Sequence, residues 1–130
     1  MKDEVKVCLI GSGRAGMIHG HNFAGSVPGG KIIAVCDPVG DVAENAAKEL
    51  GIDLFYKEYL NVMKNEDIDA VIIACPTKFH KEITVAAANA GKHIFCEKPM
   101  AMNEEECDEM IEAAEKNHVK LDRKSTRLNS

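Results

Sequence analysis

The sequence predicts an α/β fold built on a doubly wound parallel sheet, and three observations carry that prediction. Val5 to Ile10, Ile32 to Cys36, Ala70 to Ala74 and Ile94 to Cys96 are short, nearly continuous apolar runs rich in β-branched residues. Such runs suit strands buried on both faces. Between them lie segments whose apolar residues recur at i, i+3, i+4 and i+7, the spacing of one helical stripe. Strand and helix alternate along the whole chain, which implies right-handed crossovers and a strand order of 3-2-1-4-5.

The elements follow in order. Val5 to Ile10 opens the sheet, and a helix is expected from about Gly13 to Ala24. Ile32 to Cys36 is the second strand. Ala43, Ala46, Ala47 and Leu50 form the stripe of the next helix, with Asp41 and Glu44 at capping-box spacing and Gly51 as its C-terminal cap. Asp53 to Tyr56 is a weaker run suited to an edge strand, and a short helix surrounds Tyr59 to Met63. After the strand Ala70 to Ala74, the stripe Ile83, Ala86, Ala87 and Ala90 ends at Gly91. After Ile94 to Cys96, the stripe Cys107, Met110, Ile111 and Ala114 is headed by Asn103 and Glu106, again at capping-box spacing. Val119 to Leu121 reads as the start of another strand.

The chain has 130 residues, 45% hydrophobic and 28% charged, with a net charge of -5 and no Trp. That composition suits a soluble globular domain and excludes collagen-like or disordered classes. Its acidic balance gives no footprint for nucleic acid or anionic lipid, which require clustered Lys and Arg. No apolar run approaches the ~18 residues needed to span a bilayer, and no secretory leader is visible. A cytoplasmic protein is expected. The five cysteines, Cys8, Cys36, Cys75, Cys96 and Cys107, show no C-x-x-C spacing; they read as reduced thiols acting as small hydrophobes, with no metal site expected. The last nine residues, Asp122 to Ser130, lack apolar periodicity and match a translation of common sequencing-adapter DNA. The expected division is therefore a dinucleotide-binding domain over 1–121 and a disordered, non-native tail over 122–130, with the natural gene continuing further.

In a doubly wound sheet, ligands lie beyond the carboxyl ends of the strands where strand order reverses. Function is therefore sought just after Ile10, Cys36, Ala74 and Cys96. The first of these points carries Gly11-Ser12-Gly13-Arg14-Ala15-Gly16, a G-x-G-x-x-G turn between a strand and a helix. Gly11 permits the tight turn, Gly13 lets a pyrophosphate approach the backbone, and Gly16 allows close packing of helix on sheet. Asp37 ends the second strand 21 residues beyond Gly16, where its carboxylate is placed to accept from the adenosine ribose hydroxyls. A 2′-phosphate there meets like charge, so NAD is favoured over NADP.

The fourth strand ends in Cys75-Pro76-Thr77-Lys78-Phe79-His80 and the fifth in Cys96-Glu97-Lys98-Pro99. On these motifs, and above all on Ala90 to Pro99, the chain resembles the glucose-fructose oxidoreductase, inositol dehydrogenase and rhizopine-catabolism (Gfo/Idh/MocA) family over Val5 to Leu121. The resemblance implies a Rossmann domain of an NAD- or NADP-dependent oxidoreductase acting on a sugar, cyclitol or related polyol. A C-terminal α/β substrate domain, absent here, completes the site in such proteins, and the parent is expected to be a homo-oligomer. By the resemblance, Lys98 is the catalytic-site lysine and Glu97 lies beside the nicotinamide ribose. Relatives commonly show Thr-Pro-Asn followed by two residues and His, so Pro76 and His80 match while Cys75 and Thr77 depart from the pattern. His80 is left with two placements: facing the cofactor, or opening the following helix. Two rival functions remain, a nucleotide-sensing module of the same fold and an NAD-dependent glycosidase. Lys98 weighs against the former, since a sensor has no chemical need for it.

Overall fold

A computed structural model describes residues 5–11, 30–39, 41–96 and 102–122. Its strands are β1 (Val5–Ile10), β2 (Gly30–Cys36), β3 (Leu54–Tyr56), β4 (Ala70–Ile73), β5 (His93–Cys96) and β6 (Leu121–Asp122). Its helices are α1 (Val42–Leu50), α2 (Tyr59–Met63), α3 (His80–Asn89) and α4 (Glu104–Lys116), with a 3₁₀ turn at Thr77–Phe79. The strands form one sheet in the order β3-β2-β1-β4-β5-β6, every neighbouring pair parallel. The expected order is therefore present, and the further strand expected from Val119 to Leu121 lies outside β5 as Leu121–Asp122, with Val119 and Lys120 ahead of it. The helix expected from Gly13 to Ala24 and the tail after Asp122 lie outside the described residues.

Asp122, assigned by sequence to the tail, pairs with Phe95 as the second residue of β6. Parallel pairing is made by backbone groups and asks little of the side chain, so the register continues past Leu121. Both edge strands are short, which limits the unpaired backbone they offer to other chains.

The two-residue period of the strands divides the core between the two faces of the sheet. Cys8, Ile10, Ala34, Cys36, Val71, Ile73, Ile94 and Cys96 face a layer containing Val62 of α2, Ile83, Ala87 and Ala88 of α3, and Met110 of α4. Val7, Leu9, Ile32, Val35, Ala70 and Ile72 face Ala43, Ala46 and Ala47 of α1. Ile32 and Val35 share a face although three residues apart, because the β1–β2 register slips from Val7↔Ile32 to Cys8↔Ala34. The extra residue, Ile33, is the bulge that resets the alternation.

The helix ends separate strong signals from weak ones. At α4 the Asn103 side chain accepts from the Glu106 N–H (2.9 Å), while Glu106 Oε1 accepts from the Met102 N–H (3.1 Å). This nearly reciprocal pair is the expected cap, entered one residue earlier. At α1 Asp41 has φ −97°, ψ 13° and makes no side-chain cap bond. Glu44 instead faces Lys48 at 3.8 Å. Gly51 and Gly91, at φ 74° and 77°, end α1 and follow α3 in the left-handed conformation expected of them. The buried stripe of α3 is His80, Ile83, Thr84, Ala87 and Ala88, not the expected Ile83, Ala86, Ala87 and Ala90. Counting only apolar residues misses His80 and Thr84, and so rotates the inferred face.

Candidate functional site

The carboxyl ends of β1, β2 and β4 meet at Gly11. Its N–H donates to the Cys36 carbonyl (2.8 Å), and the Ala74 N–H donates to the Ile10 carbonyl (2.8 Å). Gly11 has φ +95°, and a Cβ placed on it would lie 2.6 Å from the Cys75 N and 2.8 Å from the Ala74 carbonyl carbon. Backbone alone fills that space, so no other residue fits without moving the loop after β4. Sequence identifies this glycine by its place in the turn; the structure adds that it also sets how closely β1 and β4 approach.

Asp37 follows β2 and is 9% exposed. Its N–H donates to the Tyr56 carbonyl (3.0 Å), while its Oδ1 accepts from the Val39 N–H (2.9 Å). The turn Asp37-Pro38-Val39 is thus held by the carboxylate itself, which fixes where its oxygens point. Beyond these strand ends opens a cleft of about 840 Å³. Gly11, Asp37, Cys75 and Pro76, all expected at the site, line it together with Val39, Lys57, Glu58, Tyr59, Leu60, Phe79 and Glu82. Thr77 opens the 3₁₀ turn, and neither Thr77 nor His80 is on the cleft wall. Ser12, Gly13, Arg14, Ala15, Gly16, Glu97 and Lys98 lie outside the described residues.

His80 opens α3, the second of its two expected placements, and is only 2% exposed. Its Nε2 lies 2.7 Å from the Cys75 carbonyl and its Nδ1 3.3 Å from the Cys96 Sγ. The residues that sequence reasoning overlooks are Lys57, Glu58, Tyr59 and Leu60, which follow β3. The rule that ligands gather beyond carboxyl ends applies to β3 as well, and would have found them. Phe79 and Glu82 carry no such signal, since the turn that brings them round is set by tertiary packing.

Electrostatics describe a cleft acidic in its side chains. Glu58 and Glu82 share the wall with Asp37, and Lys57 is the one cation among the described lining residues. The Tyr59 hydroxyl donates to Glu82 Oε2 (2.5 Å); burial, then this bond and the carboxylate charge, push the phenol up to about 12. Burial also pushes the Cys36 thiol up to about 12 and the Cys75 thiol up to about 11, with Asp37 adding to both. Both are therefore neutral thiols near pH 7, poor nucleophiles and poor metal ligands. Among the described residues no group of three His, Cys, Asp or Glu side chains is arranged to hold a metal ion. Nor is any helix among them long and apolar enough to cross a membrane.

The cleft sets a fixed carboxylate on one wall against apolar surface from Val39, Pro76 and Phe79, and Gly11 keeps the strand ends close beside it.

Comparison with known proteins places the chain in a family. Residues 5–124 match the family model of the Gfo/Idh/MocA oxidoreductases, described as an oxidoreductase family with an NAD-binding Rossmann fold. The chain is 42% identical over 106 residues to the scyllo-inositol 2-dehydrogenase (NAD(+)) of Bacillus subtilis, covering 82% of this chain and 31% of that protein. It is 36% identical over 118 residues to the inositol 2-dehydrogenase of Salmonella typhimurium, covering 90% and 35%. Among solved structures, the scyllo-inositol dehydrogenase of Lactobacillus casei with bound NAD(H) and scyllo-inositol superposes with a TM-score of 0.84 at 31% identity, covering 95% of this chain and 36% of that one. The chain thus spans about a third of the length of these relatives. With motif, sheet order, cleft and matched span in accord, the chain belongs to the Gfo/Idh/MocA oxidoreductase family as its NAD-binding Rossmann domain.

Proposed function

We propose that this domain binds NAD in preference to NADP and serves a protein that oxidises an inositol-like cyclitol or related polyol. The observation that carries the reading is the fixed carboxylate of Asp37 at the wall of a cleft entered past Gly11. Asp37 accepts from the adenosine ribose hydroxyls, and Glu58 and Glu82 deepen the negative field that a 2′-phosphate would meet. The amides of the Gly11-to-Gly16 turn hold the pyrophosphate. Pro76 and its neighbours Cys75 and Thr77 border the route toward the nicotinamide. The relatives named inositol and scyllo-inositol dehydrogenases support the substrate class.

NAD supplies the hydride acceptor for alcohol oxidation. The chain's part is to hold and orient. Glu97 would steady the nicotinamide ribose, and the Lys98 ammonium would stabilise negative charge developing on the alcohol oxygen and direct the departing proton. The partner groups of that proton relay belong to the remaining two thirds of such a protein. In a full-length enzyme carrying this domain, Lys98→Ala lowers turnover by orders of magnitude with NAD affinity nearly unchanged. Calorimetry tests the cofactor reading on the domain itself: NADH binds more tightly than NADPH, and Asp37→Ser narrows the difference. Preference for NADPH by the unaltered domain would overturn it.

A further inference from the structure

We propose that His80 is a positioning residue for the nicotinamide half of the dinucleotide site, its buried ring latching the loop after β4 to the last residue of β5. The proposal rests on the dinucleotide reading above. The Cys75 carbonyl can only accept, so at 2.7 Å the Nε2 of His80 carries the proton and donates. That leaves the Nδ1 lone pair to accept from the Cys96 thiol at 3.3 Å. One neutral tautomer therefore satisfies both contacts at once, in a position only 2% exposed.

The latch sits where the sheet stops. Pairing between β4 and β5 runs as far as Ile73↔Cys96. Past that pair, the imidazole joins the two strand ends, through the carbonyl of the residue leading into Pro76 and the thiol of the residue preceding Glu97 in the chain. The adenosine half is anchored separately on the other side of β1, through Gly11 to Cys36 and Asp37 to Tyr56. Loss of the latch should therefore act on one half of the ligand.

The test compares NADH with ADP-ribose, which lacks the nicotinamide, as ligands of the 130-residue chain. His80→Phe removes both contacts, Cys96→Val removes the thiol donor, and Cys96→Ser restores a donor. The expected result is about a fivefold weaker NADH affinity for H80F and C96V, with ADP-ribose affinity within about twofold of wild type and C96S restored for both. Equal loss of both ligands shows an effect on the fold alone and overturns the proposal, as does unchanged NADH affinity in C96V. Failure of the wild-type chain to bind either ligand overturns the dinucleotide reading instead. If H80F does not fold, the ring nitrogen spectrum of the wild type decides: a neutral ring protonated at Nε2 is expected, and protonation at Nδ1 alone overturns the latch.

Discussion

The two ends of the sheet handle buried polar groups in opposite ways. At the amino end, Lys92 is 4% exposed, and its ammonium donates to the Asn65 carbonyl (2.9 Å) and the Ile68 carbonyl (2.8 Å). Around it, the Asp69 N–H donates to the Lys6 carbonyl and Asp69 Oδ2 accepts from the Lys6 N–H, so polar groups close on backbone and tie turns together. At the carboxyl end, Gly11 and Asp37 shape the wall of a cleft of about 840 Å³, and the hollow beside Lys92 is about half as large, at 460 Å³. A buried charge by itself therefore says little about function. What marks the site is a fixed acceptor facing space, beside backbone that approaches too closely for any side chain.

The largest expected break in this comparison is Gly11→Ala. The positive φ and the 2.6 Å approach to the Cys75 N leave no room for a methyl group, so the strand ends must separate. A loss of at least ~3 kcal/mol in urea denaturation is expected, with NADH binding abolished. Lys92→Met is the matching change at the other end. It leaves two carbonyls without their donor, costing about 2 kcal/mol, yet NADH affinity stays within about twofold when measured on the folded fraction.

Alkaline pH should separate the ends by sign. Cys36 and Cys75 hold their protons in the folded chain to about pH 12 and 11, while the unfolded thiols release theirs near 9. Their contribution is complete below pH 9 and is lost as pH rises through the folded values. Lys92 runs the other way. Burial lowers its folded value below 10.5, so the unfolded chain binds more protons just below that pH and stability rises there. Urea midpoints from pH 8 to 11 should fall in the wild type, fall less in Cys36→Ala, and fall more steeply in Lys92→Met. The smallest effect expected is Thr84→Val. Thr84 is fully buried, and its Oγ1 has no hydrogen-bond partner among the described residues. An apolar side chain of the same shape should raise stability by about 1 kcal/mol without altering NADH affinity.

Much of this contrast was legible in the sequence, though unevenly. The strand runs gave the order of the sheet because residues buried on both faces leave continuous apolar stretches, and the G-x-G-x-x-G turn located Gly11 at the end of the first. Asp37 was visible because it is an acid ending the second strand 21 residues beyond Gly16. The stripe of α3 was misread where His80 and Thr84 face inward, since burial of a polar side chain depends on partners that only the folded chain brings near. The Cys75 and Cys96 contacts to His80 and the Tyr59–Glu82 pair span five to twenty-three residues of sequence, and no local pattern announces them. No local pattern announces the burial of Lys92 either; only the turn carrying the Asn65 and Ile68 carbonyls makes it internal.

The most direct measurement is a titration of the isotope-labelled chain with NADH, followed by backbone amide NMR. Shifts concentrated at Gly11, at Asp37 to Val39 and at Cys75 to Phe79, with Lys6, Asp69 and Lys92 unmoved, are what the account predicts. Shifts centred on the Lys92 turn, or none at the carboxyl end of the sheet under saturating NADH, would contradict it.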